Sequence, residues 1–256
     1  MLIFIAKGSG NGLAAAINCL NPLVAAYCIV KGFTSPLDIC SVIQGEERFY
    51  SFLGLAWCIL ADVDRESEKY RKLMGGFRFT FTAVQKVFDV KEYEGKISFI
   101  PAKLEKRQCK APCQICRQAN QISRQQEDSV KSTSEVSEEV KTKGPDLVNL
   151  EYMRTHPDEV KVVGPQKFSW FQSATVTHIS YDAKVAPWAH NCDGLIDLTY
   201  STKKLGTLEM TKALLGLEDG DHVKVHGLEY QKTKAFILEP ISKNGQFVAK
   251  MHFLFF

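Results

Sequence analysis

The sequence predicts a mixed architecture: a partial, Rossmann-like α/β segment at the N-terminus, followed by a β-rich, sandwich-like part. Three observations predict it. Residues 2–6 read as a strand that passes through a glycine turn, Gly8-Ser9-Gly10-Asn11-Gly12, into a helix over 13–19. An almost uninterrupted apolar run over 49–61 has both period-two faces apolar, the pattern of strands buried on both sides. After Gly164, short β-prone runs alternate with turn residues to the end of the chain.

Size and composition bound the function classes. The 256 residues are 45% hydrophobic, enough for one large or two small cores. A net charge of +3, with no Lys/Arg stripe interleaved with aromatics, argues against a nucleic-acid partner. Cys19, Cys28, Cys40 and Cys58 lie in apolar segments, where a free thiol behaves as a small buried hydrophobe. The opening MLIFI is too short for a signal-peptide core and is followed closely by Lys7. Reduced thiols in the cytoplasm are therefore expected, and no apolar stretch has the length of a transmembrane helix.

Taken in order, the glycine turn with the helix behind it forms an anion-binding arrangement of backbone N–H groups. It lacks the Gly-Lys-Ser/Thr of a Walker loop and the third glycine of a dinucleotide fingerprint. A helix over 22–31 follows, with Asn21 as cap, Pro22 at its first position and Gly32 as its stop. A strand over 39–43 leads into a hairpin turn at Gln44-Gly45-Glu46-Glu47.

The apolar run ends at Asp62 and gives way to Asp64, Glu66, Glu68, Lys69, Arg71 and Arg78. Such a run is either an ordinary solvated face or a polar site presented by a rigid scaffold. Phe77, Phe81, Val84 and Phe88 recur at helical spacing and read as core packing. Residues 96–102 read as a strand.

From 103 to about 164 the composition shifts. The stretch 117–146 is rich in Gln, Ser, Glu and Lys without period, and is expected to be a disordered insertion. Just before it stands Cys109-x3-Cys113-x2-Cys116, which with His156 could seed a zinc-dependent interaction module. The ligand count is incomplete, so exposed loop thiols and no metal are the expectation. Beyond 164, strands are expected over 167–179, 193–200, 223–227, 235–238 and 247–255, with a helix over 208–217.

The string ILADVDRESEKYRKLMGGFRFT, residues 59–80, with Trp57 before it, resembles the sphingosine kinases of the diacylglycerol-kinase-like lipid kinase superfamily. Gly8-Ser9-Gly10-Asn11-Gly12-Leu13-Ala14 resembles the family's GSGN-x-LA element. The resemblance covers about 6–105 and 165–249. It implies an ATP-dependent lipid kinase, using Mg²⁺, that phosphorylates the primary hydroxyl of a sphingoid base to give sphingosine 1-phosphate.

It also implies roles for particular residues. Asp64 matches the carboxylate that binds the lipid head group, with Gly54 and Phe79 at substrate-contacting positions. Gly8, Ser9, Gly10, Asn11, Arg71 and Arg78 match nucleotide-contacting positions, with Asp62 and Glu68 supporting them. The domain order implied is 1–40 as a remnant of the nucleotide-binding domain and 41–105 as the first part of a β-rich lipid-binding domain. Residues 106–164 are then an insertion, and 165–256 the remainder of the β-rich domain.

Departures are as informative as matches. Gly54 stands where the family has a serine. The family's Gly-Asp-Gly phosphate loop, which carries its general base, lies upstream of the GSGN turn, and here only seven residues precede Gly8. At the other end, Asn244-Gly245-Gln246-Phe247 runs toward the family's Asp-Gly-Glu but continues to Lys250-Met251-His252. The expectation is a chain truncated at both catalytic ends, with no catalytic residue assigned and an inactive lipid-binding or interaction module as the alternative. Contact with a membrane is expected only peripherally, without a polybasic anchor. An unpaired sheet edge would favour a homodimer.

Overall fold

Asn21 starts the first well-formed helix as its sequence requires: its side chain accepts the Leu23 N–H at 2.9 Å, with Pro22 in the first turn. The computed structural model describes residues 6, 7, 10–110, 113–116, 118, 145–241 and 251–255. Helix α1 spans Gly12–Ala16 and α2 spans Pro22–Val30, after which Gly32 turns the chain at φ +66°. Most of the strand expected over 2–6 lies outside the described residues.

Strands β1 (Cys40–Gln44) and β2 (Glu47–Ser51) form the expected hairpin, with Gly45 at φ +62° and Gln44 opposite Glu47. Strand β3 (Gly54–Cys58) follows, and at Cys58, φ +63°, the chain swings into α3 (Ile59–Ser67). The one or two strands expected over 49–61 are β2 and β3, but their burial on both faces and the strand reading of 59–61 are corrected. Among the described residues β2 stands last in the strand order with Phe49 and Tyr50 exposed, while Ile59, Leu60, Val63 and Ser67 are buried at helical spacing. A short apolar run hides a helix start because period two and period 3.6 look alike when every position is apolar.

The charged segment continues through a 3-10 turn at Glu68–Tyr70, α4 (Arg71–Met74), a second 3-10 turn at Gly75–Phe77 and α5 (Arg78–Val87). The face of α5 that packs inward carries Phe79, Thr82, Ala83 and Val87. Phe77, Val84 and Phe88 are exposed, so the Phe77, Phe81, Val84 and Phe88 row is not the core face expected.

The remaining elements are β4 (Tyr93–Ala102), α6 (Pro145–Thr155), β5 (Lys161–Phe168) and β6 (Trp170–Ala174), then β7 (Ile196–Ser201), α7 (Thr207–Leu215), β8 (Leu228–Pro240) and β9 (Met251–Phe255). Among the described residues every strand pair is antiparallel, in the order β2-β1-β9-β8-β7-β6-β3. Strand β4 branches off, pairing with β5 and β8. The 13-residue β8 is the junction: its first half pairs with β7, and residues 236–238 pair with both β4 and β9.

Adjacent residues of β6 feed opposite cores, as alternation across a strand demands. Trp170 packs with Ile59, Val63, Val87, Met210 and Ala213 beneath α3, α5 and α7. Phe171 packs on the other side with Ile97, Phe99, Phe168, Leu198 and Phe236. Two expectations change here. Helix α6 buries Leu150 and Met153 against Ile100 and Ala235, and β5 begins at Lys161, so regular structure resumes before the boundary expected at 164. The disorder expected over 117–146 falls largely outside the described residues. In place of a strand over 223–227 stands a 3-10 turn, Asp221–Lys224, entered through Gly220 at φ +82°. Among the described residues no helix is long and apolar enough to cross a membrane.

Candidate functional site

Helix α3 sorts its carboxylates by face. Asp62 is buried, accepting the Tyr93 hydroxyl at 2.5 Å and Arg65 at 2.9 Å. Burial, and then the Asp62 carboxylate, hold the Tyr93 phenol well above its ordinary pKa. Glu66 is bound by Lys86 at 2.5 Å, which pulls its pKa down. Asp64, about 200° round the helix from Asp62, is exposed, and its carboxylate has no partner among the described residues. Only its backbone carbonyl is engaged, by the Ser67 hydroxyl at 2.8 Å.

The 3-10 turn after α3 places Glu68 between two arginines. Arg78 Nη1 donates to Glu68 Oε1 at 2.6 Å, and Arg71 Nη2 to the same oxygen at 2.8 Å. These donors, Arg78 first, hold the Glu68 carboxyl below its ordinary pKa. Arg78 is 3% exposed and lies over the Phe79 ring, 4.4 Å from its centroid. Its Nε is buried without a hydrogen-bond partner, as is Thr82 Oγ1 one turn further on. Phe79 thus packs half-buried as a platform beneath Arg78.

Gly8 and Ser9 lie outside the described residues. The Gly10 carbonyl accepts the Tyr181 N–H at 2.7 Å, and Asn11, at φ +55°, bridges to Ser180. At Gly12 a Cβ would stand 2.5 Å from the Ile179 carbonyl oxygen, so the close approach requires glycine. Five residues of α1 are too few to support the helix-dipole contribution expected from sequence.

Tyr181 links this turn to the arginines. Its backbone holds Gly10, while its hydroxyl faces Gly76, in the turn between Arg71 and Arg78. Nothing in the sequence marks Tyr181; only the loop path reveals it.

Gly54 opens β3 at φ +152°, where a Cβ would lie 2.0 Å from the Ser173 carbonyl oxygen. This backbone excludes the serine that the family resemblance implies at this position. The polar contact there comes instead from Ser173, whose Oγ accepts the Leu55 N–H at 3.1 Å.

Two further arrangements escape a reading by spacing. Lys232, 2% exposed, bridges Asp193 at 2.8 Å and Asp197 at 3.0 Å, and Tyr230 donates to Asp197. Burial raises the Asp197 carboxyl to about 6 against the pull of Lys232. The three thiols of the 109–116 segment are not loose on the surface, as expected: they are half-buried against His190. His156 lies elsewhere, stacked on Tyr152. A separate apolar groove of about 600 Å³ runs between α1, α2 and the 33–39 segment, and no candidate residue lines it.

No protein-family model matches the chain. Among curated proteins it is 33% identical to sphingosine kinase 1 of Arabidopsis thaliana over 246 residues, covering 92% of this chain and 45% of that protein. Sphingosine kinase 2 of the same plant is 31% identical, with coverages of 92% and 46%. Human sphingosine kinase 1 is 27% identical, with coverages of 96% and 61%. The chain therefore spans about half the length of the curated relatives it matches. A solved structure of a candidate diacylglycerol kinase from Bacillus anthracis str. Sterne superposes with a TM-score of 0.51 at 10% identity, covering 98% of this chain and 65% of that one. That likeness shows a shared mixed α/β fold.

Proposed function

We propose that this chain, a homologue of the sphingosine kinases over 92% of its length, works in an ATP-dependent lipid kinase reaction. The reaction moves the γ-phosphoryl group to the primary hydroxyl of a sphingoid base, giving sphingosine 1-phosphate. The observation that carries this reading is the exposed, unpartnered Asp64 carboxylate on the helix that also leads to the Arg71–Glu68–Arg78 cluster.

Each group has a task it is suited to. A free carboxylate pairs with the ammonium and hydroxyl groups of a sphingoid base. Arg71, largely exposed, offers planar donors to phosphate oxygens, and buried Arg78 holds the Glu68 carboxylate that orients it. The residues therefore fit an anionic nucleotide, and Tyr181 brings Gly10 and Asn11 to the same neighbourhood. Residues 1–40 act with the nucleotide as part of a Rossmann-like layer, and the sandwich-like β-rich remainder acts with the lipid.

ATP in kinase reactions carries Mg²⁺, which neutralises phosphate charge as the bond to the leaving group breaks. Among the described residues no set of carboxylates converges to hold that ion, so no step is assigned to it here. The exposed Phe77, Val84 and Phe88 present an apolar row suited to an acyl chain or a membrane surface, consistent with a cytoplasmic, peripherally bound protein. The exposed Phe49 and Tyr50 side chains suit packing against a second copy.

The test is phosphoryl transfer from labelled ATP to sphingosine by protein carrying this sequence, alongside direct sphingosine binding. Asp64→Ala is expected to reduce both. Turnover and binding unaltered by Asp64→Ala would overturn the assignment.

A further inference from the structure

We propose that Cys109, Cys113, Cys116 and His190 form a tetrahedral zinc site that pins the segment following β4 to the turn preceding β7. Their four ligand atoms all lie within 4.8 Å of one another. Cys109 Sγ stands 3.6 Å from Cys116 Sγ, and His190 Nδ1 stands 3.2 Å from Cys113 Sγ and 3.9 Å from Cys116 Sγ. A zinc ion with Zn–S of about 2.3 Å and Zn–N of about 2.0 Å spaces its ligand atoms by roughly 3.5–3.8 Å along the tetrahedral edges. Three of the cluster's six edges, 3.2, 3.6 and 3.9 Å, lie near those lengths, and the others do not exceed 4.8 Å, so a small contraction completes the polyhedron.

Alternatives fit less well. The sulfurs are too far apart for a disulfide, whose S–S bond is about 2.05 Å, and all eight cysteines are free. Ligand atoms gathered this closely enclose room for one ion, not for a multi-iron cluster. Three thiolates and an imidazole form one of the closed sets that structural zinc takes.

The surroundings supply the orientation a metal ligand needs. His190 is 1% exposed, and its Nε2 faces the Arg107 carbonyl oxygen at 3.2 Å. A carbonyl only accepts, so the proton sits on Nε2 and the Nδ1 lone pair points at the thiols. This is the tautomer a metal-bound histidine requires, fixed by the backbone partner on its far side. The Asn191 N–H stands beside the Cys109 sulfur, and the Cys192 thiol donates to the Cys116 carbonyl at 3.4 Å. Cys113 directly precedes the helical residues 114–116 and Cys116 is the last of them, a spacing of three that puts both sulfurs on one side.

The site would act as a clasp. His190 belongs to a turn already tied to the start of β1: Asp38 N–H donates to the Asn191 carbonyl at 2.7 Å, and Asp38 Oδ2 accepts Gly194 N–H at 2.8 Å. Zinc would join the exit of β4 to that turn. All four ligands come from protein, so the role is structural.

The deciding experiment uses the full chain purified without chelator, with zinc measured by plasma mass spectrometry and the metal exchanged for Co²⁺. Stoichiometric zinc is expected, and the Co²⁺ form should show the intense visible bands of a tetrahedral thiolate site. His190→Ala and Cys113→Ser should each lose stoichiometric metal, while Cys28→Ser retains it. Substoichiometric zinc together with a colourless Co²⁺ form would overturn the proposal. So would metal retained unchanged in both ligand variants. Because the Co²⁺ spectrum is read on the unaltered chain, misfolding of a variant leaves the test intact.

Discussion

Arg78 and Glu68 form a lopsided pair: the guanidinium is 3% exposed, the carboxylate 48% exposed, and they meet at 2.6 Å. A buried arginine that commits Nη1 to a half-exposed acid fixes Glu68, and through the shared oxygen it sets the place of the exposed Arg71. Arg78→Lys keeps the charge but loses the planar edge. The expected outcome is a rise of about tenfold in KM for ATP, equivalent to roughly 1.4 kcal/mol, with KM for sphingosine nearly unchanged. Steady-state kinetics on both substrates check this; equal movement of both constants would assign Arg78 a purely structural role.

Asp64 has no competing partner among the described residues, so its loss should leave the fold intact. Asp64→Ala is expected to weaken sphingosine binding by roughly 1.5–3 kcal/mol, the worth of a hydrogen bond to a charged group. Thermal melting should stay within about 1 °C, as for surface substitutions. Calorimetric titration with sphingosine, next to a melt of the same sample, separates the two effects.

Lys232 is a structural charge. Its ammonium lies between Asp193 and Asp197, whose side chains are 6% and 0% exposed. Lys232→Met leaves both carboxylates buried without their cation and should destabilise the protein by about 3–5 kcal/mol. Adding Asp197→Asn to that variant should recover part of the loss. Urea denaturation of the three proteins measures it.

His222 makes acid destabilising. Burial pushes its imidazole down to about 4 from 6.5, with Nε2 donating to the Val185 carbonyl and Nδ1 unpartnered. Between pH 6.5 and 4 the unfolded chain binds this proton more readily than the folded one, so stability falls as pH falls through that window. Asp38 and Asp197, raised by burial to about 7 and about 6, act in the opposite sense, costing stability as pH rises. Both are common to the wild type and a His222→Gln variant, so their effects cancel in the difference. Relative to that variant, the wild type should lose about 3 kcal/mol on going from pH 7 to pH 4. A stability difference independent of pH would show that His222 titrates normally.

Gly54→Ser would place a side chain 2.0 Å from the Ser173 carbonyl oxygen, at a φ of +152° that disfavours any Cβ. A loss of at least about 2 kcal/mol is expected, seen as a fall of roughly 5 °C or more in melting temperature. An unchanged melt would show that β3 pairs with β6 in another register.

Local signals were legible where neighbours in sequence decide the outcome. Asn21-Pro22 announces α2 and Gly45 the β1–β2 hairpin, because cap and turn geometry depend on a few adjacent residues. The Ile59 helix start and the outward row of Phe77, Val84 and Phe88 were not legible, because apolar periodicity does not say which face meets the sheet. The 223–227 segment has strand-like composition, yet Gly220 at φ +82° sets a tight turn ahead of β8.

By itself the sequence determined the resemblance to sphingosine kinases, read from the motif over 59–80, and the mixed α/β character of the chain. Tertiary structure alone decided which carboxylate of α3 stays free, since Asp62 meets a Tyr93 that lies 31 residues away while Asp64 faces outward. It alone brought Cys113 to His190 across 77 residues, placed Tyr181 between Gly10 and Gly76, and buried Lys232 between two aspartates. Caps, turns and motifs are set by backbone dihedrals a few residues apart. Those contacts depend on the register of β8 and on the paths of its connecting loops, which no spacing along the chain encodes.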